Sequence, residues 1–252
     1  MDIILFTQED PFYLSESTYD LICKIKGSKH KIVKAIVSKA SPYGKNESFI
    51  KKTYKTFKIF GIKFFVFYLI KYLKRYIFSK TVSEVLIENN IDVLKINNSI
   101  NSSENERIIK SLDADIILII AGNQIIKKNI LQSTKYGVFN VHSSLLPEYK
   151  GLMPSFWVMK NNEKITGVTL YKLTEGIDNG PIISQKKIKI NPEFSQSDLV
   201  MLLKIEANNL IVETLHLIKD SKNLRTVEGG TYFKFPTKID VKEFKHANKK
   251  FF

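Results

Sequence analysis

Short β-branched or aromatic runs alternate with segments of helical or turn-like character through the first half of the chain. These runs occupy residues 3–6, 32–37, 116–120 and 138–141. The alternation predicts βαβ units and a mostly parallel sheet of the α/β class. Residues 116–120 are apolar throughout, which is typical of a central strand covered on both faces. Ala121 and Gly122 follow at the end where such sheets open a ligand crevice.

The second half of the chain has a different pattern. Residues 165–173 and 182–190 predict a strand pair, and the Gly, Asp, Asn and Pro of residues 174–181 predict a loop with demanding backbone geometry between them. Ser195 and Asp198 form a capping box that predicts the start of a long helix ending near residue 220. Its apolar positions recur at helical spacing: Leu199, Leu203, Ala207, Leu210, Leu215 and Ile218.

Two further segments stand apart. Residues 57–78 predict a helical insertion, whose basic side chains would fall within an arc of about 120 degrees and leave a broad apolar face: Lys63, Lys71, Lys74 and Arg75. We expect that face to cover the core or the interface of a homodimer. The alternative is a peripheral membrane contact through 57–78, because basic residues beside a wide aromatic face suit anionic headgroups. Residues 226–252 are basic and aromatic, and we interpret them as a C-terminal extension to a main domain at 1–225.

Composition indicates an ordinary packed protein. The 252 residues are 44% hydrophobic and 25% charged, which excludes disordered and fibrous classes. The formal charge of +14 could mark an anionic partner such as nucleic acid, a phosphorylated substrate or an acidic membrane. We favour a simpler explanation, because Lys is spread over nearly every segment together with abundant Ile and Asn.

The cysteine and histidine content and the length of the apolar runs argue against a disulfide, a metal site and a membrane span. One Cys cannot form an internal disulfide, and four scattered His offer no zinc-ligand spacing, so we expect no metal site. The apolar run at 64–70 is far shorter than the roughly 20 residues that span a bilayer. The first residues lack the features of a secretory signal. These observations predict a cytoplasmic protein.

Candidate chemistry lies at the end of the predicted strand 138–141. Asn140 and His142 are two residues apart, which places both side chains on one face of a strand. An amide donor beside an imidazole suits acyl transfer to an amine, because the donor stabilises the developing oxyanion and the imidazole relays the proton. Asp178, in the glycine-rich 176–180 loop, is the best candidate for a carboxylate near the imidazole. Taken singly, each of the three is more often a structural residue.

The three residues together resemble the motif of the formyltransferase family. The resemblance rests on the order of the motif and on its spacing, since Asp178 comes 38 residues after Asn140. The other residues that carry it are Val141, His142, Ser144, Leu145, Leu146, Pro147, Gly151 and the Gly176 to Pro181 segment. That family includes methionyl-tRNA formyltransferase, glycinamide ribonucleotide formyltransferase and nucleotide-sugar N-formyltransferases. The resemblance implies a Rossmann-like, mostly parallel sheet, here with a short C-terminal tail.

The resemblance also implies roles for individual residues. Asn140 would be the oxyanion donor, His142 the proton-transfer residue and Asp178 the carboxylate that orients it. The co-substrate would be 10-formyltetrahydrofolate, and transfer would be direct, without a covalent enzyme intermediate or a metal. Apolar walls with a few polar contacts suit its pterin ring, and the residues implied for that site are Gln124, Ile125, Ile126, Leu146, Glu175, Gly176 and Ile177.

The resemblance does not identify the acceptor amine. We predict it from residues 7–12 and from the residues that follow the predicted long helix. Residues 7–12 lack the glycines expected of a phosphate cradle, which disfavours the glycinamide ribonucleotide enzyme. About thirty residues follow the predicted long helix, fewer than a tRNA-binding domain requires. We therefore expect a nucleotide-linked amino sugar of surface polysaccharide or lipopolysaccharide biosynthesis. For the location of this cytoplasmic protein, a peripheral position at the inner face of the membrane is the alternative. Methionyl-tRNA and a non-catalytic RNA- or membrane-binding homologue are the alternatives.

Overall fold

Seven strands form one sheet within residues 1–40, 49–96, 99–223, 226 and 228–252, the part of the chain that this computed structural model describes. With two further strands that pair outside this sheet, the strands of the described residues are β1 (Asp2–Gln8), β2 (Lys31–Ser38), β3 (Val93–Ile96), β4 (Ile116–Ile119), β5 (Gly137–His142), β6 (Lys150–Gly151), β7 (Ile165–Lys172), β8 (Ile182–Lys189) and β9 (Tyr232–Phe233). The sheet order is β3-β2-β1-β4-β5-β7-β8, and β6 pairs separately with β9. The predicted α/β class is confirmed.

The directions of the strands agree with the sequence pattern. The first five strands of the chain are parallel, whereas β7 runs antiparallel to β5 and β8 runs antiparallel to β7. The prediction of a strand pair across the 174–181 loop is confirmed. Strand β3 was not predicted, because a four-residue, partly exposed strand carries little periodicity.

Helices cover both faces of the sheet. They are α1 (Leu14–Lys26), α2 (Phe49–Phe60), α3 (Ile62–Phe78), α4 (Val82–Glu88), α5 (Ser103–Ser111), α6 (Lys128–Leu131), α7 (Pro154–Lys160), α8 (Gln196–Thr214) and α9 (Lys238–His246), with a 3₁₀ helix at Leu215–Asn223. The predicted capping box of α8 is confirmed, since Ser195 N donates to Asp198 Oδ2 at 2.9 Å and Asp198 N donates to Ser195 Oγ at 3.2 Å.

Alternate residues of β1 enter two separate hydrophobic clusters. Ile3 and Leu5 pack with α1, α4, α7, α8 and α9 on one face of the sheet. Ile4 and Phe6 pack with α5 and α6 on the other. All four side chains are at most 1% exposed, and burial of such a side chain contributes about 1.5–3 kcal/mol. The central strands are therefore fixed from both sides, which gives the carboxyl ends of the sheet a rigid frame.

The C-terminal extension shares the core of the main domain. Phe244 and Phe251 are buried in the cluster formed by α1, α7 and α8. The Phe244 ring stacks on Phe156 with 4.8 Å between centroids. The described residues of the C-terminal extension thus pack against those of the main domain, and the boundary at 225 stays a prediction.

The predicted helical insertion consists of parts of two helices. Gly61, with φ +84°, separates α2 from α3. Among the described residues, no helix is both long and apolar enough to cross a bilayer. The same residues hold no group of three or more His, Cys, Asp or Glu side chains arranged to bind a metal ion.

Gly151 is required where β6 meets β9. It has φ +93°, and a Cβ there would lie 2.2 Å from the Phe233 carbonyl oxygen. We expect Gly151→Ala to lower the free energy of unfolding by about 2 kcal/mol or more, because the two strands must separate. Urea denaturation followed by circular dichroism measures the loss.

Gly229→Ala is the matched control. Gly229 has φ +73°, but a Cβ there would meet nothing within 4 Å. Both substitutions strain a left-handed backbone. The difference between their free energies of unfolding therefore measures the effect of the close contact between a Cβ at residue 151 and the Phe233 carbonyl. Equal destabilisation by the two would show that the β6–β9 contact does not require glycine.

Candidate active site

Strand β5 carries the first two candidate residues. Asn140 and His142 lie on the face that also holds Val138 and the α5 and α6 cluster. The register places Tyr171 of β7 directly opposite Asn140. Side chains of opposed residues share a face, and Asn140 Nδ2 donates a hydrogen bond to the Tyr171 hydroxyl at 2.9 Å. The sheet therefore fixes the amide at the end of β5.

The Asp178 carboxylate is held from two sides. The Tyr171 hydroxyl donates to Asp178 Oδ1 at 2.6 Å, and the Gly151 amide donates to Oδ2 at 2.8 Å. Asp178 has φ +48°, a conformation that Asp adopts more readily than most residues. Its Oδ2 lies 3.7 Å from His142 Nδ1. The three candidates from distant parts of the sequence thus converge.

The His142 ring is oriented mainly by the backbone. Its Nε2 lies 2.7 Å from the Tyr149 carbonyl oxygen, which can only accept, so Nε2 carries a proton. Nδ1 then faces Asp178 at a distance longer than a direct hydrogen bond. The family resemblance implies that Asp178 orients this ring. In the structure the Tyr149 carbonyl fixes the ring, and Asp178 supplies negative charge on the other side.

Tyr171 joins the amide to the carboxylate and is not among the residues predicted from the sequence. Burial, then the charge of Asp178, holds the pKa of its phenol well above the usual value, although the hydrogen bond from Asn140 lowers it. The hydroxyl therefore stays protonated and donates to Asp178. Only the register of β5 with β7 could have identified this residue, and the sequence does not reveal that register.

The loop that follows β5 is fastened to β7. Thr169, opposite His142, accepts a hydrogen bond from Leu146 N at 3.1 Å and donates one to the Ser144 carbonyl at 2.7 Å. Gln185 Nε2 donates to the Leu146 carbonyl at 2.7 Å. Leu146 is buried and is followed by a cis peptide bond to Pro147. This segment has a defined position beside the catalytic candidates.

The first predicted pterin-binding loop packs beside β5 on the face that carries Asn140, and the second begins two residues after Leu173, which packs on the same face. Ile126 and Leu173 pack in one cluster with Val138. Ile125 and Ile177 are instead 73% and 52% exposed.

Polar groups fix the first of these loops, and the second is exposed. The Gln124 side-chain oxygen accepts a hydrogen bond from Ile100 N at 2.7 Å, and the Ile125 carbonyl accepts one from Asn101 Nδ2 at 2.8 Å. Glu175 and Gly176 are exposed in the second loop. Exposed apolar side chains held by ordered polar groups fit a flat heterocycle.

The C-terminal extension supports the loop that holds His142 and Asp178. Phe233 stacks on Tyr149 with 5.2 Å between centroids and on Trp157 with 4.7 Å. Thr231 Oγ1 accepts a hydrogen bond from Tyr149 N at 2.9 Å. The Tyr149 carbonyl and the Gly151 amide contact the site directly, so the extension acts on the site through this loop.

Comparison with known proteins places these features in a family. The family model described as "Formyl transferase" matches residues 16–215. A methionyl-tRNA formyltransferase of Clostridioides difficile is 38% identical over 157 residues, which are 61% of this chain and 50% of that protein. Another, from Agathobacter rectalis, is 37% identical over 121 residues, 48% of this chain and 39% of its own length. The aligned stretches thus span half or less of these two relatives.

Solved structures share the fold at low sequence identity. An N-formyltransferase from Helicobacter canadensis, in complex with folinic acid and dTDP-3-aminofucose, has a TM-score of 0.60 at 18% identity and covers 98% of this chain and 80% of that one. A phosphoribosylglycinamide formyltransferase from Bacillus halodurans has a TM-score of 0.60 at 19% identity, with 88% of this chain and 96% of that chain covered.

Thr169 provides a test of the loop anchor. Thr169→Val keeps the shape of this fully buried side chain but leaves the Leu146 N–H and the Ser144 carbonyl without their partner. We expect a loss of about 1–3 kcal/mol in the free energy of unfolding, measured by urea titration of Trp157 fluorescence.

Thr166→Val on the same strand is the control. Thr166 is 2% exposed, and its hydroxyl has no hydrogen-bond partner among the described residues. We expect this substitution to be neutral or stabilising, because it removes an unsatisfied polar group. A Thr169 variant as stable as the Thr166 variant would contradict the anchor.

Proposed function

The chain belongs to the formyl transferase family, and on that premise we propose that it transfers a formyl group from 10-formyltetrahydrofolate to a primary amine. The convergence of Asn140, His142 and Asp178 at the carboxyl end of β5 carries the proposal. Ligands of α/β sheets bind outside the carboxyl ends of the strands.

Asn140 stabilises the developing negative charge. Its Nδ2 carries two N–H groups, of which one is directed to Tyr171. The second donates to the formyl oxygen as that atom gains charge. Because β5 and Tyr171 hold the amide in advance, the donor needs no reorganisation at the moment of reaction.

His142 and Asp178 handle the proton. As the amine nitrogen bonds to the formyl carbon, His142 Nδ1 accepts the proton that the amine loses, and the negative charge of Asp178 at 3.7 Å stabilises the imidazolium. The bond between the formyl carbon and N10 of the folate breaks, and His142 returns the proton to N10. Nε2 keeps its proton throughout and donates it in a hydrogen bond to the Tyr149 carbonyl oxygen.

The 124–126 and 175–177 loops hold the folate in this proposal. The exposed side chains of Ile125 and Ile177 supply apolar contact to the pterin ring. Backbone groups of both loops supply its polar contacts. Leu146 closes the site beside the formyl group.

A nucleotide-linked amino sugar is the proposed acceptor. The half-exposed Tyr232 ring lies beside Gly151, since a Cβ at Gly151 would be 2.9 Å from it. The Gly151 amide in turn donates a hydrogen bond to the Asp178 carboxylate. An exposed aromatic ring this close to the proposed reaction centre suits stacking on a nucleotide base. The product would serve surface polysaccharide or lipopolysaccharide synthesis.

Methionyl-tRNA is the second candidate acceptor. It is favoured by the 37–38% identity of the aligned stretches of two methionyl-tRNA formyltransferases. Cytoplasmic location and a homodimer stay predictions.

Formylation assays test the activity and the trio together. The purified chain receives 10-formyltetrahydrofolate and a panel of amino-sugar nucleotides, with methionyl-tRNA included, and mass spectrometry detects formylated products. We expect His142→Ala to lower kcat by about 10²–10⁴-fold, because proton transfer is lost. His246→Ala, at an exposed histidine, is the control. Turnover by the His142 variant at the original rate would overturn the proposed role of His142.

Tyr171→Phe tests the bridge between the amide and the carboxylate. The substitution removes two hydrogen bonds, one of them to the charged Asp178 carboxylate. We expect kcat to fall about tenfold or more. The KM for the folate should change little, because only the positioning of Asn140 and Asp178 is disturbed. Tyr136→Phe is the control. A Tyr171 variant with full kcat would show that the bridge has no catalytic consequence.

A further inference from the structure

Helix α3 presents an apolar face to solvent. Within the described part of the chain, six large apolar side chains on this helix are 43–67% exposed. They are Ile62, Val66, Leu69, Ile70, Leu73 and Ile77, and we call them the outer face of α3. At 3.6 residues per turn they fall within an arc of about 100 degrees. The helix is 17 residues long, so this strip extends over about 25 Å.

The opposite side of α3 packs on the protein. Phe64 stacks on Phe60 with 4.3 Å between centroids, and the Tyr68 hydroxyl hydrogen bonds with that of Tyr13 at 2.8 Å. Lys71 Nζ lies 3.8 Å from the centroid of the Tyr13 ring. A basic side chain therefore points inward while six apolar ones point outward. This orientation is the reverse of that expected for a helix on the surface of a soluble domain.

The basic residues beside the outer face favour an anionic partner. Lys63 and Lys74 follow one edge of the outer face in the helical projection. Residues 49–78 contain eight basic residues and no Asp or Glu. An antiparallel symmetric dimer through the outer face would bring like-charged edges together. An anionic surface complements them, and the net charge of +14 adds long-range attraction.

Aromatic residues at the end of the helix fit the same partner. Tyr76 and Phe78 are both 81% exposed. Aromatic rings are favoured at the boundary between lipid and water. An apolar face with lysines at its edge and rings at its end has the composition of a helix that lies in a membrane surface.

We propose that the outer face of α3 binds reversibly to an anionic lipid bilayer. The six apolar side chains enter the boundary between headgroups and acyl chains, and Lys63 and Lys74 contact the lipid phosphates and carboxylates. This binding requires no particular acceptor and no turnover, so it stands apart from the proposed enzymatic function.

Vesicle sedimentation with the full chain tests the proposal. We expect the protein to sediment with vesicles of phosphatidylcholine mixed with phosphatidylserine, and much less with phosphatidylcholine alone. The double variant Leu69→Gln and Leu73→Gln should bind about tenfold more weakly or worse, because two anchoring side chains are lost. Lys63→Glu with Lys74→Glu should remove the preference for phosphatidylserine.

The control carries the same change on another helix. Met201 and Ile205 of α8 are 41% and 47% exposed and are also four residues apart. Met201→Gln with Ile205→Gln should leave vesicle binding unchanged. Circular dichroism and urea denaturation check that the α3 variants remain folded.

Two results would overturn the proposal. The first is no sedimentation with either vesicle, and the second is equal binding by the α3 and α8 variants. In the first case, analytical ultracentrifugation tests for a dimer that the Leu69 and Leu73 substitutions dissociate. Such a dimer would assign the outer face to a second copy of the chain.

Discussion

The hydrogen bonds that hold the Asp178 carboxylate are the constraint on which the candidate site depends. One comes from Tyr171 of β7 and the other from the Gly151 amide of β6. Together they bring the 176–180 loop against the end of β5. Without them the carboxylate would lie on an exposed loop, and the negative charge beside His142 would be lost.

The same bonds connect the site to the C-terminal extension. Strand β9 pairs with β6, and Phe233 of β9 stacks on Tyr149. Tyr149 and Gly151 in turn contact His142 and Asp178 through their backbone groups. The extension therefore does more than cover the core. It sets the backbone that orients the imidazole, which links the stability of β9 to the proposed catalysis.

Sequence reasoning succeeded where pattern and chemistry are local. The strands of the parallel sheet have strong apolar runs, and the spacing of Asn140 and His142 predicted a shared face that β5 shows. The α8 capping box was visible for the same reason. A motif in fixed order also identified Asp178 as a partner, although nothing local places a loop aspartate beside a distant histidine.

What sequence reasoning missed depends on contacts between distant segments. Tyr171 acquires its position only from the register of β5 and β7. The Tyr149 carbonyl acts through the backbone, so no residue type could have marked it. For α3, the sequence shows the helical pattern but not which side of the helix is exposed to solvent. Packing against Phe60 and Tyr13 decides which side faces outward.

A crystal structure of the chain with a formyltetrahydrofolate analogue tests the central claim most directly. The account predicts the formyl oxygen within hydrogen-bonding distance of Asn140 Nδ2. We also expect Asp178 to remain bound by Tyr171 and Gly151, and His142 Nδ1 to lie beside the position from which an amine would attack the formyl carbon. A folate bound away from β5, or an Asp178 carboxylate turned from His142 in that complex, would contradict it.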